Sequence, residues 1–176
     1  MVDAINKQMR KQSFQMDQAE QTSRGDNIII KGIAEDNNED LQQKIIDIVK
    51  KTDVTLEPNE IKTHYRMGKG PSSGRFPRPV MVQVNNRAKR TKIMIGKKKL
   101  GSGLFIEEDL TRLRSRMHYE IRKSERTIKT WTVNGVIFAI VKGPNNSESK
   151  EQFSSPEDLY KLGWNQEKLD TFLATQ

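Results

Sequence analysis

Cysteine is absent from the 176 residues of this sequence, which excludes disulfide bonds and zinc sites built on thiolates. No run of about 18 apolar residues occurs that could cross a membrane as a helix. The N-terminal residues Met-Val-Asp-Ala lack the basic and apolar segments of a secretory leader. Aromatic residues make up only 6% of the chain. We therefore expect a cytosolic or nuclear protein with small cores and no membrane-spanning segment.

Acidic residues are missing from residues 61–106, which contain twelve lysines and arginines. Because the whole chain has a net charge of +8, all other residues together contribute −4. A cationic surface gains affinity for a phosphate backbone by releasing condensed counterions. The acid-free block therefore predicts a nucleic-acid partner, with an acidic membrane surface as the weaker candidate. A generic basic, solvated surface is the alternative.

Groups suited to catalysis are scarce. His64 and His118 lie far apart in the sequence, and no thiol is available as a nucleophile. Acidic clusters occur at 35–40 and 107–109, but both lie at predicted helix starts, where the helix dipole favours carboxylates. The glycines of segment 68–74 lack the spacing of a phosphate-binding loop. We expect no enzymatic activity, no catalytic residue, no cofactor and no metal site.

Residues 1–22 are rich in helix formers and show a seven-residue repeat. Its a and d positions are Val2, Ile5, Met9, Gln12, Met16 and Ala19. The repeat predicts the C-terminal end of a coiled coil, with Val2, Ile5, Met9 and Met16 as its oligomerisation residues. A helix this short is marginal in water, so we expect this chain alone to be mostly monomeric. A polar arm without a role in assembly is the alternative.

Residues 23–106 predict one α+β domain. Short β-branched or alternating apolar runs indicate strands, and apolar residues at helical spacing indicate helices. The predicted elements are strands at 27–33, 61–67, 80–84 and 104–106, and helices at 41–51 and 87–95. Their βαββαβ order is typical of a four-stranded antiparallel sheet with two helices on one face.

Residues 107–176 predict a small αββα domain that begins with an amphipathic helix. This helix is expected to start at the acidic residues 107–109, which suit its positive end. Its predicted buried stripe consists of Leu110, Leu113, Met117 and Ile121. Its opposite face consists of Arg112, Arg116, Tyr119, Lys123 and Arg126. A basic face with a central aromatic ring suits nucleic acid, and an ordinary solvated helix is the alternative.

A hairpin is predicted at Asn134-Gly135, because both positions of a two-residue turn need positive φ. This turn places Trp131 opposite Phe138 on one face of the hairpin. Trp131 is then expected to anchor the core, with stacking on nucleic-acid bases as the alternative. A short helix ending at Leu162 and a last helix over 165–174 complete the domain.

Four segments, taken in order, resemble a known family. They are NIIIKGI at 27–33, HYRMGK at 64–69, RPVMVQV at 78–84 and GLFIEEDLT at 103–111. Together with the heptad repeat, they are similar to the first-open-reading-frame protein of LINE non-long-terminal-repeat retrotransposons. A more distant similarity is to the baculovirus few-polyhedra protein. The resemblance covers nearly the whole chain from about Thr22, and its specificity rests on the order and spacing of the segments together.

The resemblance implies a homotrimeric coiled coil, an RNA-recognition-motif-like (RRM-like) domain and a C-terminal domain, here at 1–22, 23–106 and 107–176. It also implies that a basic cleft holds single-stranded RNA or DNA, and that the protein is a nucleic-acid chaperone that packages the element's RNA. The expected location is cytoplasmic ribonucleoprotein particles, with the nucleus as the alternative. A protein-interaction or assembly module of the same fold that binds no nucleic acid is the rival function.

The predicted nucleic-acid-binding set combines two sources. The resemblance implies contacts by Arg24, Asn27, Lys69, Arg75, Arg78, Arg112, Arg114, Arg116 and Trp131. The basic helix face adds Tyr119 and Lys123, and the predicted strands add Lys31 and Arg66. The outward positions of the two central strands, Ile29, Lys31, Met81 and Gln83, carry no aromatic side chain. We therefore expect phosphate contacts rather than bases stacked on this sheet.

Overall fold

The computed structural model describes residues 2–69 and 76–175, with side chains from residue 5 onward. The chain divides into two compact units. One combines the residues up to Gly25 with those from Leu110 onward, and the other comprises Asp26–Asp109. The fold is α+β with two antiparallel sheets. Within the described ranges, no helix is long and apolar enough to span a membrane.

The N-terminal segment is one helix, α1 (Val2–Ser23). Its heptad residues Ile5, Met9 and Met16 are exposed by 55%, 61% and 73%, whereas Asp17 and Gln21 are buried. At about 100° per residue, these two groups lie on faces about 120° apart. Helix α1 thus packs on its own unit through a polar face and leaves its heptad face exposed. The side chain of Val2 lies outside the described residues.

The central unit contains four strands and two helices. In chain order they are β1 (Asn27–Lys31), α2 (Leu41–Lys50), β2 (Ile61–Arg66), β3 (Val80–Val84), α3 (Arg87–Gly96) and β4 (Phe105–Glu108). The strands pair antiparallel in the order β2-β3-β1-β4. Alternate strand residues such as Ile28 and Val82 form one core with Ile45 of α2 and Ile93 of α3. The elements follow the predicted order.

Strands β1 and β4 end differently from the prediction. Strand β1 stops at Lys31 because Gly32 has a φ of +92°, and a Cβ there would lie 1.8 Å from the carbonyl oxygen of Gly103. Strand β4 continues through Glu107, which pairs with Ile29. The predicted helix start at residues 107–109 is therefore wrong, because strand pairing takes up the first two of these positions.

The C-terminal residues form a helix, a three-stranded sheet and two further helical segments. They are α4 (Arg112–Lys123), β5 (Thr127–Val133), β6 (Val136–Lys142), β7 (Glu148–Phe153), a 3₁₀ helix (Pro156–Leu162) and α5 (Gln166–Ala174). The hairpin is confirmed, since Trp131 pairs with Phe138 and Asn134 has a φ of 51°. The predicted αββα order missed β7, which pairs with β6. Only Phe153 is buried in this polar strand, so no apolar alternation marks it.

Helix α4 begins at Arg112 because the side chain of Thr111 caps its first turn, accepting from the backbone N–H of Arg114 at 3.3 Å. Of the predicted buried stripe, Met117 and Ile121 are core residues and Leu113 packs against them, whereas Leu110 precedes the helix. This second core lies between α4 and one face of the β5-β6-β7 sheet, represented by Ile137, Ala139 and Phe153.

Candidate nucleic-acid interface

The acid-free block 61–106 is partly neutralised by carboxylates from outside it. Of the eleven cations in its described part, six form ion pairs. The pairs are Arg66–Glu39, Arg78–Glu35, Arg87–Asp26, Lys89–Glu60, Arg90–Glu108 and Lys99–Asp53. In the described part of the block, the cations without an ion pair are Lys62, Lys69, Lys92, Lys97 and Lys98. About half of the described charge is therefore paired with carboxylates, although only Arg66 and Arg90 are buried in their pairs.

Arg66 is an internal anchor of the central unit. Its guanidinium forms a bidentate pair with Glu39, with Nε–Oε1 and Nη2–Oε2 distances of 2.8 and 2.7 Å. It also donates to the carbonyl oxygens of Ile33, Ala34 and Arg78. The hydrogen bonds from Arg66 lower the pKa of Glu39 to about 2. Because the Arg66 side chain is only 6% exposed, it holds the loop before α2 against β2.

The basic loop before β3 presents less charge than its sequence suggests. Arg78 Nε donates to Glu35 Oε1 at 2.8 Å, and the Arg78 hydrogen bonds lower the pKa of the Glu35 carboxyl. The Arg78 side chain keeps 25% of its surface exposed. Lys69 is exposed, and Arg75 lies outside the described residues. In the described part of this loop, Lys69 thus forms no ion pair, and Arg78 shares its charge with Glu35.

Three predicted contacts, which lie before or within β1, each meet a carboxylate. The pairs are Arg24 Nη2–Glu20 Oε1 at 2.6 Å, Asn27 Nδ2–Asp109 Oδ2 at 2.8 Å, and Lys31 Nζ–Glu107 Oε2 at 2.5 Å. The side chains of Arg24 and Lys31 remain 31% and 45% exposed. Exposed ion pairs contribute little to stability, so a phosphate group can compete for these two cations.

Arg114 lies at the centre of a buried polar network. Its Nε donates to Asp17 Oδ2 of α1 at 2.8 Å, and its Nη1 donates to the carbonyl oxygen of Gly135 at 2.7 Å. The Thr111 hydroxyl also donates to Asp17, and the Thr111 backbone N–H donates to Gln21 Oε1 at 2.9 Å. The side chains of Arg114 and Asp17 are 9% and 6% exposed. The network joins α1, the start of α4 and the hairpin turn, which gives Arg114 a structural role.

The outer face of α4 retains exposed cations and a ring. Arg112, Tyr119 and Lys123 are exposed and recur at a spacing that places them on one side of the helix. The Lys123 ammonium lies 5.8 Å from the centre of the Tyr119 ring, which is 52% exposed. Neither Arg112 nor Lys123 forms an ion pair with a described residue. Arg116 instead lies 4.3 Å from the Phe172 ring centre and donates to the Phe172 carbonyl oxygen at 2.6 Å.

Trp131 lies outside the hydrophobic core. Ile137 and Ala139 of β6 face the core, so Phe138 between them faces the other side of the sheet. Trp131 pairs with Phe138 and shares that outer face, with ring centres 5.8 Å apart and ring planes 14° from parallel. The expectation that Trp131 anchors the core is therefore wrong, and its ring is half-buried at the surface.

The sheet of the central unit carries two aromatic rings that the sequence prediction missed. Ile29 and Met81 lie opposite the core, as predicted, but are only 7% exposed. Tyr65 pairs with Met81 and Phe105 pairs with Lys31, so both rings belong to the same face. They are 52% and 59% exposed. Their positions follow from the register of the outer strands β2 and β4, which the prediction had not used.

The described residues contain no cluster suited to a metal ion. No group of three or more His, Asp or Glu side chains that could hold a metal ion occurs in residues 2–69 and 76–175. The acidic residues 35–40 instead bind Arg66, Arg78 and Lys44.

No family model matches the sequence, and no curated protein matches it either. Function must therefore be inferred from the geometry and charge of the chain itself.

Proposed function

We propose that this chain binds single-stranded nucleic acid, with RNA as the natural partner, through phosphate contacts of low sequence specificity. The outer face of α4 is the observation on which this proposal rests. Arg112 and Lys123 are exposed there without an ion pair to a described residue, and the Tyr119 ring lies between them. Cations beside an aromatic ring suit a single strand, because both its phosphates and its unpaired bases are accessible.

The arrangement of the central unit supports a more specific proposal. Two helices cover one face of a four-stranded antiparallel sheet in the order expected of an RRM-like domain. With the sequence resemblance, this supports a LINE-type first-open-reading-frame protein that packages RNA into cytoplasmic ribonucleoprotein particles and acts as a chaperone.

Self-association through α1 is a further part of the proposal. Ile5, Met9 and Met16 form an exposed apolar row that a second and third copy would cover in a trimer. Tethered binding sites act at high effective concentration, so a trimer would bind one long strand more tightly than a monomer. Light scattering tests this point. We expect this chain to be mostly monomeric when dilute and to associate as its concentration rises, with Met9→Asp abolishing the association. A monomeric mass that does not change with concentration would contradict it.

The direct test is fluorescence anisotropy with a labelled single strand of about 20 nucleotides in a series of salt concentrations. If about four to six phosphates are contacted, the slope of log affinity against log salt should lie roughly between −3 and −4. A slope flatter than about −1, or no binding at about 50 mM salt, would reject the proposal.

The matched variants remove equal charge from two different surfaces. Arg112→Ala with Lys123→Ala should weaken binding at least about tenfold, because two free cations leave the proposed contact face. The control, Lys92→Ala with Lys98→Ala, removes two exposed and unpaired cations of the central unit. Arg90 is unsuited to a control because it forms a buried pair with Glu108. Equal losses in both variants would indicate diffuse charge rather than a contact face.

The pairing of half the acid-free block also favours a second candidate, a protein-interaction module. Such a module would use the α1 heptad face and the surface rings without needing free cations. Absence of strand binding in the anisotropy test, together with intact folding by circular dichroism, would support this candidate.

A further inference from the structure

The outer face of the β5-β6-β7 sheet forms a second aromatic and basic surface. Across the strands its rows are Val133–Val136, Trp131–Phe138–Gln152, Lys129–Ile140–Lys150 and Lys142–Glu148. The one acidic residue of these rows, Glu148, lies two rows away from the rings. Helix α4 packs on the opposite face, since Met117 and Ile121 share a core with Ile137 and Ala139. The outer sheet face is thus distinct from the α4 face, although both belong to one unit.

The rings and ammonium groups of this face are arranged together. Trp131 and Phe138 stand with nearly parallel planes, 14° apart. The Lys150 ammonium lies 5.6 Å from the Trp131 ring centre and 5.1 Å from that of Phe138. Lys129 and Lys150 are exposed, and neither forms an ion pair with a described residue. Because Trp131 and Phe138 lie outside both cores, packing of the core does not explain this arrangement.

We propose that the outer sheet face binds unpaired nucleobases by stacking on Trp131 and Phe138, while Lys129 and Lys150 contact the flanking phosphates. This inference rests on the proposed function and deepens it, because it adds a contact to the bases themselves. Every base presents a flat face, so stacking would not impose a sequence preference. The bases of a duplex are covered by their neighbours, so the face would distinguish single strands from double strands.

An acidic protein segment is the other class of partner with suitable charge. Its carboxylates would pair with Lys129 and Lys150, but the two parallel rings would add little to its binding. The pair of rings with lysines along one side therefore favours the single strand, whose phosphates run along one side of its flat bases.

The experiment uses Trp131 as its own reporter. The chain contains two tryptophans, so Trp164→Phe leaves Trp131 as the only one. This variant is titrated with an oligothymidylate of about 12 nucleotides and with an abasic strand of the same length and charge. We expect the oligothymidylate to quench Trp131 fluorescence and to bind roughly 5- to 150-fold more tightly than the abasic strand.

Two substitutions of Trp131 distinguish the loss of an aromatic ring from a loss of folding. Trp131→Leu should remove the difference between the two strands, whereas Trp131→Phe should retain most of it, with both variants folded by circular dichroism. Equal affinity for both strands without quenching would overturn base stacking while leaving phosphate binding in place. Binding of neither strand would overturn this inference and the proposed function together, and would point to a protein partner. Because the fluorescence titration keeps Trp131, it decides the question even if Trp131→Leu does not fold.

Discussion

Replacing Arg114 separates a structural arginine from a nucleic-acid contact. Arg114→Ala leaves the Asp17 carboxylate buried without its ion pair, because the 2.8 Å hydrogen bond from Arg114 Nε to Asp17 Oδ2 is lost. It also removes the hydrogen bond from Arg114 to the Gly135 carbonyl oxygen. Breaking one side of a buried ion pair costs about 3 to 5 kcal/mol. With a urea m-value of about 1 to 3 kcal/mol per M, a loss of this size should lower the urea midpoint by about 1 M or more.

The assay is urea unfolding followed by tryptophan fluorescence. Trp131 and Trp164 both belong to the unit that contains Arg114, so their signal reports on that unit alone. Arg112→Ala is the matched control, because Arg112 is exposed on the same helix and should change stability by less than about 0.5 kcal/mol. Asp17→Ala combined with Arg114→Ala should cost less than the sum of the single changes, since neither charge is then left alone. Equal urea midpoints for Arg114→Ala and Arg112→Ala would refute the structural role.

Two further predictions concern the central unit. Gly32→Ala and Gly68→Ala both place a side chain at a φ near +90°, and this backbone strain costs each variant about 1 to 2 kcal/mol. The two sites differ in space, because the new Cβ would lie 1.8 Å from a backbone oxygen at Gly32 and would have no atom within 4 Å at Gly68. Gly32→Ala should therefore lower the urea midpoint by circular dichroism far more than Gly68→Ala, and equal midpoints would contradict the close approach. Arg66 holds the pKa of Glu39 at about 2, below its ordinary value of 4.5, so the stabilisation by Glu39 is complete above pH 4.5 and is lost as the pH falls toward 2. Glu39→Gln should flatten the decline in urea midpoint over that pH range, and an unchanged decline would argue against the Arg66–Glu39 pair as its cause.

Local sequence was sufficient for the elements whose signals lie within a few residues. The alternation of β3 and the Asn134-Gly135 turn placed strand and hairpin correctly. The last two helical segments likewise end at the predicted residues, Leu162 and Ala174. These features depend on backbone preferences that a short segment expresses wherever it lies in the fold.

Features that depend on contacts with residues far away in the chain could not be predicted from the sequence. The hairpin register pairs Trp131 with Phe138, but which face is buried depends on where α4 packs. Strand β7 is held by pairing with β6 rather than by its own apolar pattern. The burial of Asp17 depends on Arg114, 97 residues away in the chain. In each case the deciding interaction is tertiary, so neighbouring residues carry no sign of it.

The positive charge of this chain shows the same distinction between local and distant structure. Residues 61–106 contain no acid, yet Arg66 and Arg78 pair with carboxylates 27 and 43 residues earlier in the chain. When a contiguous basic segment folds into strands and loops, its side chains come to lie beside carboxylates from other parts of the chain. The net charge of the segment in the sequence is therefore larger than the net charge of the surface that it forms. Helix α4 differs, because its own periodicity fixes which residues share a side, whatever packs on the other. Arg112 and Lys123 are therefore stronger indicators of a nucleic-acid surface than the larger acid-free block.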